Sequence, residues 1–309
     1  MDSKSEGVHV CSLNEVAGMK ILSFGAGTQS TALALMSCEN AMAEQNGQPF
    51  PHPTIPVYDC VVICDLGLEP NWVLAQTEFV RQACIQAGIR FEKIDTHLYQ
   101  DLLENYGRKR TAAIPWWTKS PEGKDGKISR RACTIDYKID AVAKFARWNV
   151  LGYKKGQRTR RQDLGAHEMH IGFSVEEKNR IKTVGPCNPI FVKCYPLVDL
   201  GLDRAANYQY TRDVWGLDTK ASACLFCPFH QNYFFKYIKE NEPEHYQQLL
   251  EVDRILQDRP PYYPMEVAMF ISRSRKRIWE LTDEDCNDAQ YFPYCNHCTG
   301  KTEMIWNGF

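Results

Sequence analysis

Apolar residues recur along this chain in two rhythms. Short unbroken runs fall at Met19 to Phe24 (MKILSF), Val57 to Asp65 (VYDCVVICD) and Ile89 to Ile94. Runs of this length, bounded by turn residues, predict strands, and the second is apolar enough for the inside of a parallel sheet. Between them the spacing lengthens to that of a helix, over Ser30 to about Cys38 and over Trp72 to about Ala87, where Gly88 supplies a stop. The segment GQPFPHPTIP reads as a loop. Strand, helix, strand, helix, strand predicts an α/β fold: a parallel twisted sheet with right-handed crossovers and flanking helices. Thr96 to Arg131, rich in Gly, Pro, Lys and Trp, predicts a long irregular stretch of the lid, binding or disordered kind. Thr134 to Trp148 predicts a helix and Met169 to Ser174 another strand. From about Asn207 helical patterns dominate to Leu256, and a cysteine-rich tail follows. The expected division is a lead over residues 1–18, an α/β domain over 19–205 and a helical, cysteine-bearing region over 206–309.

Charge and composition narrow the classes. The 309 residues suit one large domain or two. With 37 basic and 38 acidic side chains the net charge is -1, which does not announce a nucleic-acid binder. Three local basic clusters, Arg108 to Arg110, Lys154 to Arg161 and Arg273 to Arg277, read first as solvated loops. No run approaches the roughly 18 apolar residues of a membrane span. The first residues, MDSKSEGVHV, lack the order of a signal peptide. The expectation is a cytoplasmic protein with no membrane partner, so its 13 cysteines are thiols rather than a disulfide framework. Most, Cys60 and Cys64 among them, read as core fillers. Spacing is the guide to the few that act as ligands or nucleophiles.

Candidate chemistry starts at Ser23 to Thr31, SFGAGTQST. Gly25 and Gly27 permit close backbone approach, and successive N–H groups there form a concave anion nest. Ser30 and Thr31 fall at a helix start, where unpaired amides and the helix dipole favour a phosphate. The segment is neither a Walker loop nor GxGxxG. It resembles the PP-loop of the phosphoadenosine phosphosulfate reductase family, S-F-S-G-G-x-D-S-T. Ser23, Phe24, Gly27, Ser30 and Thr31 match. Gly25 replaces a serine, Ala26 a glycine and Gln29 an aspartate, a variant similar to a phage and bacterial branch of the family. The resemblance implies an adenine nucleotide held by residues Ser23, Phe24, Gly25, Ala26, Gly27, Thr28, Gln29, Ser30 and Thr31. The lost aspartate removes a ligand for Mg²⁺, which bears on ATP hydrolysis more than on binding.

Further stretches resemble the family in the same order. ICDLGLEP resembles its D-T-G segment and implies nucleotide contacts from Asp65 and Gly67 at the carboxyl edge of the sheet. IGFSVEEKNR resembles a segment in which Gly172, Glu177 and Arg180 have counterparts, with Ser174 in place of an arginine. Gly172 then joins the nucleotide site, and Arg180 pairs either with an anion or with Glu177 on its own helix. YPLVDL resembles the segment that precedes the family's cysteine motif.

Two C-x-x-C pairs, Cys224 with Cys227 and Cys295 with Cys298, are a metal signal in their own right. His230 and His297 read as loop or capping histidines rather than ligands. In the family's adenylyl-sulfate branch, a C-C-x-x-R-K element and a later C-x-x-C hold a four-iron four-sulfur cluster. CTIDYK resembles the first element with one cysteine, so the implied ligands are Cys133, Cys224 and Cys227, with Cys295 or Cys298 as the fourth or with an open iron. Zinc is the alternative. Cys298 is also a candidate nucleophile beside Lys301. Arg130, Arg131, Lys138 and Arg180 are the implied partners of a substrate anion, and Asp65, Arg180 and Cys298 the implied catalytic groups. Two chemistries follow from the resemblance. One is ATP-dependent adenylation and thiolation of a nucleotide or nucleic-acid acceptor, fed by a sulfur donor or reductant protein. The other is reduction of an adenylyl sulfate to sulfite. A non-catalytic nucleotide sensor is a third reading.

Overall fold

Three of the predicted strands lie side by side in one sheet. In the computed structural model, which describes residues 18–105, 114–128, 131–181, 188–258 and 267–287, β1 (Lys20–Phe24), β2 (Cys60–Asp65) and β3 (Arg90–Asp95) are joined by β6 (His167–Ile171) and β7 (Phe191–Cys194). The order is β3-β2-β1-β6-β7 and every pairing is parallel. Ser23 lies between Val62 and Ile171 in register. The chain moves outward from β1 to β3 and then returns to β6 on the other side. The sheet's switch point therefore falls between β1 and β6, where open α/β sheets bind ligands at their carboxyl ends.

The strands bury alternate residues on two faces. Leu22, Phe24, Val61 and Ile63 pack with α1 (Thr28–Gln45) and α2 (Asn71–Gln86). Ile21, Val62 and Met169 pack with Val142, Ala143 and Ala146 of the helix over residues 132–150. That helix widens into π turns at Ile135–Ile139 and Ala146–Val150. Helix α1 runs well past Cys38. It is covered on its outer side by the helix Arg204–Trp215, and Asn40 is buried with its amide on the carbonyls of His52 and Ile55. Strand β6 stops at Ile171, short of Ser174, because the Ser174 backbone already enters a capping box with Glu177.

Among its described residues, the stretch from Thr96 to Arg131 holds more regular structure than its composition predicts. It carries α3 (Leu98–Asn105) and a hairpin, β4 (Trp117–Lys119) with β5 (Asp125–Lys127), which β8 (Ala268–Phe270) extends in the order β5-β4-β8. The reason is a second core. Leu98, Leu102 and Trp116 are buried with Leu66 and Leu68 of the loop after β2, with Leu225 and Phe226, and with the helices Asn232–Asn241 and Pro243–Asp258. Burial of this kind holds short elements whose own propensity is weak. This core sits over the carboxyl edge of the main sheet. No helix among the described residues is long and apolar enough to cross a membrane.

Candidate functional site

The glycine turn joins β1 to α1. Gly25 is exposed, while Ala26 through Thr31 are buried. Ala26 has φ 50°, the left-handed region a glycine occupies without strain. Gly27 is the N-cap of α1, and no side chain caps the helix there. The first amides of an 18-residue helix thus lack a side-chain acceptor, the arrangement that favours an anion. Ser30 closes the turn: its hydroxyl accepts from Gly25 N–H at 3.2 Å and donates to the Gly27 carbonyl at 3.2 Å. The Thr31 hydroxyl is buried without a hydrogen-bond partner. Phe24 is core, edge-on to Phe91. Ser23 is half-buried.

Two glycines let other segments close on this turn. A Cβ at Gly172 would lie 2.8 Å from the backbone of Ser30, and one at Gly27 would lie 3.0 Å from Ser222 N. Gln76 locks the arrangement. Its amide donates to the Ala26 carbonyl at 2.6 Å and its carbonyl accepts from Lys220 N–H at 2.5 Å. Gln76 and Ser222 carry no motif, so the sequence offered no signal for either.

Gln29 and Ser174, where the resemblance expects an aspartate and an arginine, meet here. The Gln29 amide donates to Glu177 Oε2 at 3.2 Å and reaches Ser174 Oγ at 3.5 Å. Glu177, 4% exposed, also accepts from the guanidinium of Arg180, which lies 4.4 Å over the Phe173 ring. Arg180 thus meets Glu177, three residues before it.

Around Asp65 the turn after β2 is tight. Asp65 accepts from Gly67 N–H at 2.7 Å and pairs with Lys93 at 2.5 Å. Gly67 has φ 88° and stands against Tyr99. A cavity of about 150 Å³ opens beside Asp65, Glu69 and Lys93, with Ile63, Leu74 and Phe91 as apolar walls. Glu69, which the motif reading passed over, is 9% exposed. Burial pushes its carboxyl up to about 7, against the pull of Lys138. A carboxyl poised near neutrality in a cleft is equipped for proton transfer.

Cys224 and Cys227 form a turn, with Cys227 N–H on the Cys224 carbonyl at 3.1 Å. Leu225 N–H on the Leu68 carbonyl docks that turn against the β2 loop. His230 is buried, stacked on Phe234, and engages the Cys224 carbonyl through Nε2 at 2.8 Å. Desolvation lowers it to about 4, a neutral structural ring at pH 7. Cys133, in the first turn of the 132–150 helix, packs against the same core as Cys224. Lys138 feels all three thiols. Burial lowers its ammonium, but Cys224, Glu69, Cys133 and Cys227 outweigh that and hold it above the usual lysine range. Arg131 lies 5.2 Å over Phe229, two residues past Cys227. Cys60 and Cys64 are buried, their thiols pushed up to about 12 chiefly by desolvation, and are core.

Among the described residues, one ligand atom from each of Glu168, His170 and Cys194 lies within 4.8 Å of the others, a group apart from Cys133, Cys224 and Cys227. Arg130, Cys295, His297 and Cys298 lie outside the described residues, as do Arg108 to Arg110. The Arg273 to Arg277 cluster is not a solvated loop. Arg275 donates to the Thr118 and Gly126 carbonyls at 3.0 and 3.1 Å, Lys276 pairs with Asp285 and buried Arg277 pairs with Asp253. In the Lys154 to Arg161 loop, which is largely exposed, Arg160 pairs with Asp163.

The chain is thus an α/β protein whose glycine turn, buried glutamate and cysteine turn converge on the carboxyl edge of a five-stranded parallel sheet. No known family profile matches it, and no curated protein does. Among solved structures it is similar to the U34-tRNA thiolase NcsA from Methanococcus maripaludis, determined with its 4Fe-4S cluster. The identity is 12%, over 87% of this chain and 80% of that one, with a TM-score of 0.39.

Proposed function

We propose that this protein is a PP-loop enzyme of sulfur transfer that binds an adenine nucleotide, and that it adenylates and then thiolates a nucleotide or nucleic-acid acceptor. One observation carries the reading. Ser222 packs on Gly27 of the uncapped α1 terminus, and Cys224 follows two residues later, so an anion site and a thiol site share one wall. In this reading the first amides of α1 hold the nucleotide phosphates, approached past exposed Gly25. An acceptor oxygen attacks the α-phosphorus and pyrophosphate leaves; hydrosulfide supplied by a sulfur donor then attacks the activated carbon, the C–O bond breaks, and AMP departs with that oxygen. Glu69 takes or gives the proton, and Lys138 and Arg131 offset negative charge. Cys133, Cys224 and Cys227 would hold an iron–sulfur cluster, whose chemistry is either electrostatic or sulfur-carrying.

The test is labelled ATP given to anaerobically prepared protein. Pyrophosphate release supports adenylation. Sulfite formed from adenylyl sulfate would replace this reading with reduction. A second reading, a nucleotide sensor, is favoured by Gln29, a neutral amide spent on Glu177 and Ser174; tight binding without turnover would select it.

A further inference from the structure

A second group of polar side chains lies between β6 and β7. His170 and Cys194 are register partners on these parallel strands, and Glu168 precedes His170 by two residues on the same face. One ligand atom from each of the three lies within 4.8 Å of the others. His170 and Cys194 are each 4% exposed, while the Glu168 side chain is about one-third exposed and gives a route in from solvent. His170 Nε2 meets Glu168 Oε2 at 2.7 Å.

Two buried polar atoms beside this group lack a partner: His170 Nδ1 and the hydroxyl of Tyr58. The Tyr58 ring stands edge-on to His170 at 5.0 Å. Burial raises the Tyr58 hydroxyl well above its ordinary range, and the nearby Cys194 and Glu168 add to that. Unmet hydrogen-bonding capacity in a dry interior is costly and uncommon. Sulfur, imidazole nitrogen and carboxylate oxygen are together the donor set of zinc, and three protein ligands leave a fourth position for water.

We propose that Glu168, His170 and Cys194 bind a zinc ion at a site separate from the cysteine turn. The ion and its water supply the partners this pocket of polar atoms lacks. It clips edge strand β7 to β6, two residues before the Gly172 that packs on Ser30.

The experiment is zinc occupancy by mass spectrometry after zinc loading and dialysis, together with thermal melting with and without a chelator. A Cys224→Ala, Cys227→Ala double variant separates this site from the cysteine turn. About one zinc per chain is expected in the wild type and in that double variant, and little in Cys194→Ala. Chelation is expected to lower the melting temperature of the wild type but not of Cys194→Ala. Should Cys194→Ala fail to fold, Glu168→Gln takes its place, with zinc affinity expected to fall at least about tenfold in competition with a chelating dye. A zinc-free wild type, or zinc kept with unchanged affinity in Glu168→Gln, overturns the proposal. So does a zinc content that vanishes with Cys224 and Cys227 alone.

Discussion

Gln29 and Ser174 face each other across the site, a neutral pair where the resembled family has an acid and a base. Their exchange is coupled. Gln29→Asp sets a carboxylate against buried Glu177 and is expected to cost about 1–3 kcal/mol. Adding Ser174→Arg is expected to recover part of that, with a coupling of at least about 0.5 kcal/mol in a double-mutant cycle followed by urea unfolding. Glu69 makes a prediction about pH. Its carboxyl ordinarily titrates at 4.5 and is raised to about 7 in the fold by burial. Between those values the native protein holds a proton that the unfolded chain has released. The contribution is therefore fully present below pH 4.5 and is lost as pH rises through about 7. Glu69→Gln is expected to flatten the fall in stability between about pH 5 and about pH 8. Unfolding curves at both pH values check it.

Elements explain why single residues are placed as they are. Strand β6 approaches α1 so closely that Gly172 has no room for a side chain. Gly172→Ala would put a methyl 2.8 Å from Ser30 backbone and is expected to destabilise by about 1–3 kcal/mol, measured by urea unfolding. Gln76 ties α2 to the turn and to Lys220. Gln76→Leu strands the Ala26 carbonyl and the Lys220 N–H, for an expected loss of about 1–3 kcal/mol. The strands β1, β2 and β3 and the helices α1 and α2 were legible in the sequence because apolar periodicity reports burial directly. Helix α3 and the β4–β5 hairpin were not. They are short, their composition is that of a loop, and it is the second core, built with residues up to Ile278, that holds them.

At the scale of the whole molecule, the meeting of Gly27 with Ser222 joins segments almost 200 positions apart. Motifs name such segments one by one, but contact between them depends on how the sheet's carboxyl edge is roofed. That explains why the glycine turn and the cysteine pair could be picked out of the sequence while Gln76, Ser222 and Glu69 could not. The π turn after Cys133 is equally invisible to periodicity, and it falls where Lys138 is surrounded by thiols and Glu69. The account at this scale rests on an adenosine-borne anion seated at the start of α1. Titration calorimetry under anaerobic conditions with ATP, a non-hydrolysable analogue and adenylyl sulfate tests that most directly. Saturable binding of at least one of them, weakened at least about tenfold by Gly27→Val, is the predicted result. No heat with any of the three, or binding that Gly27→Val leaves untouched in a folded chain, would contradict it.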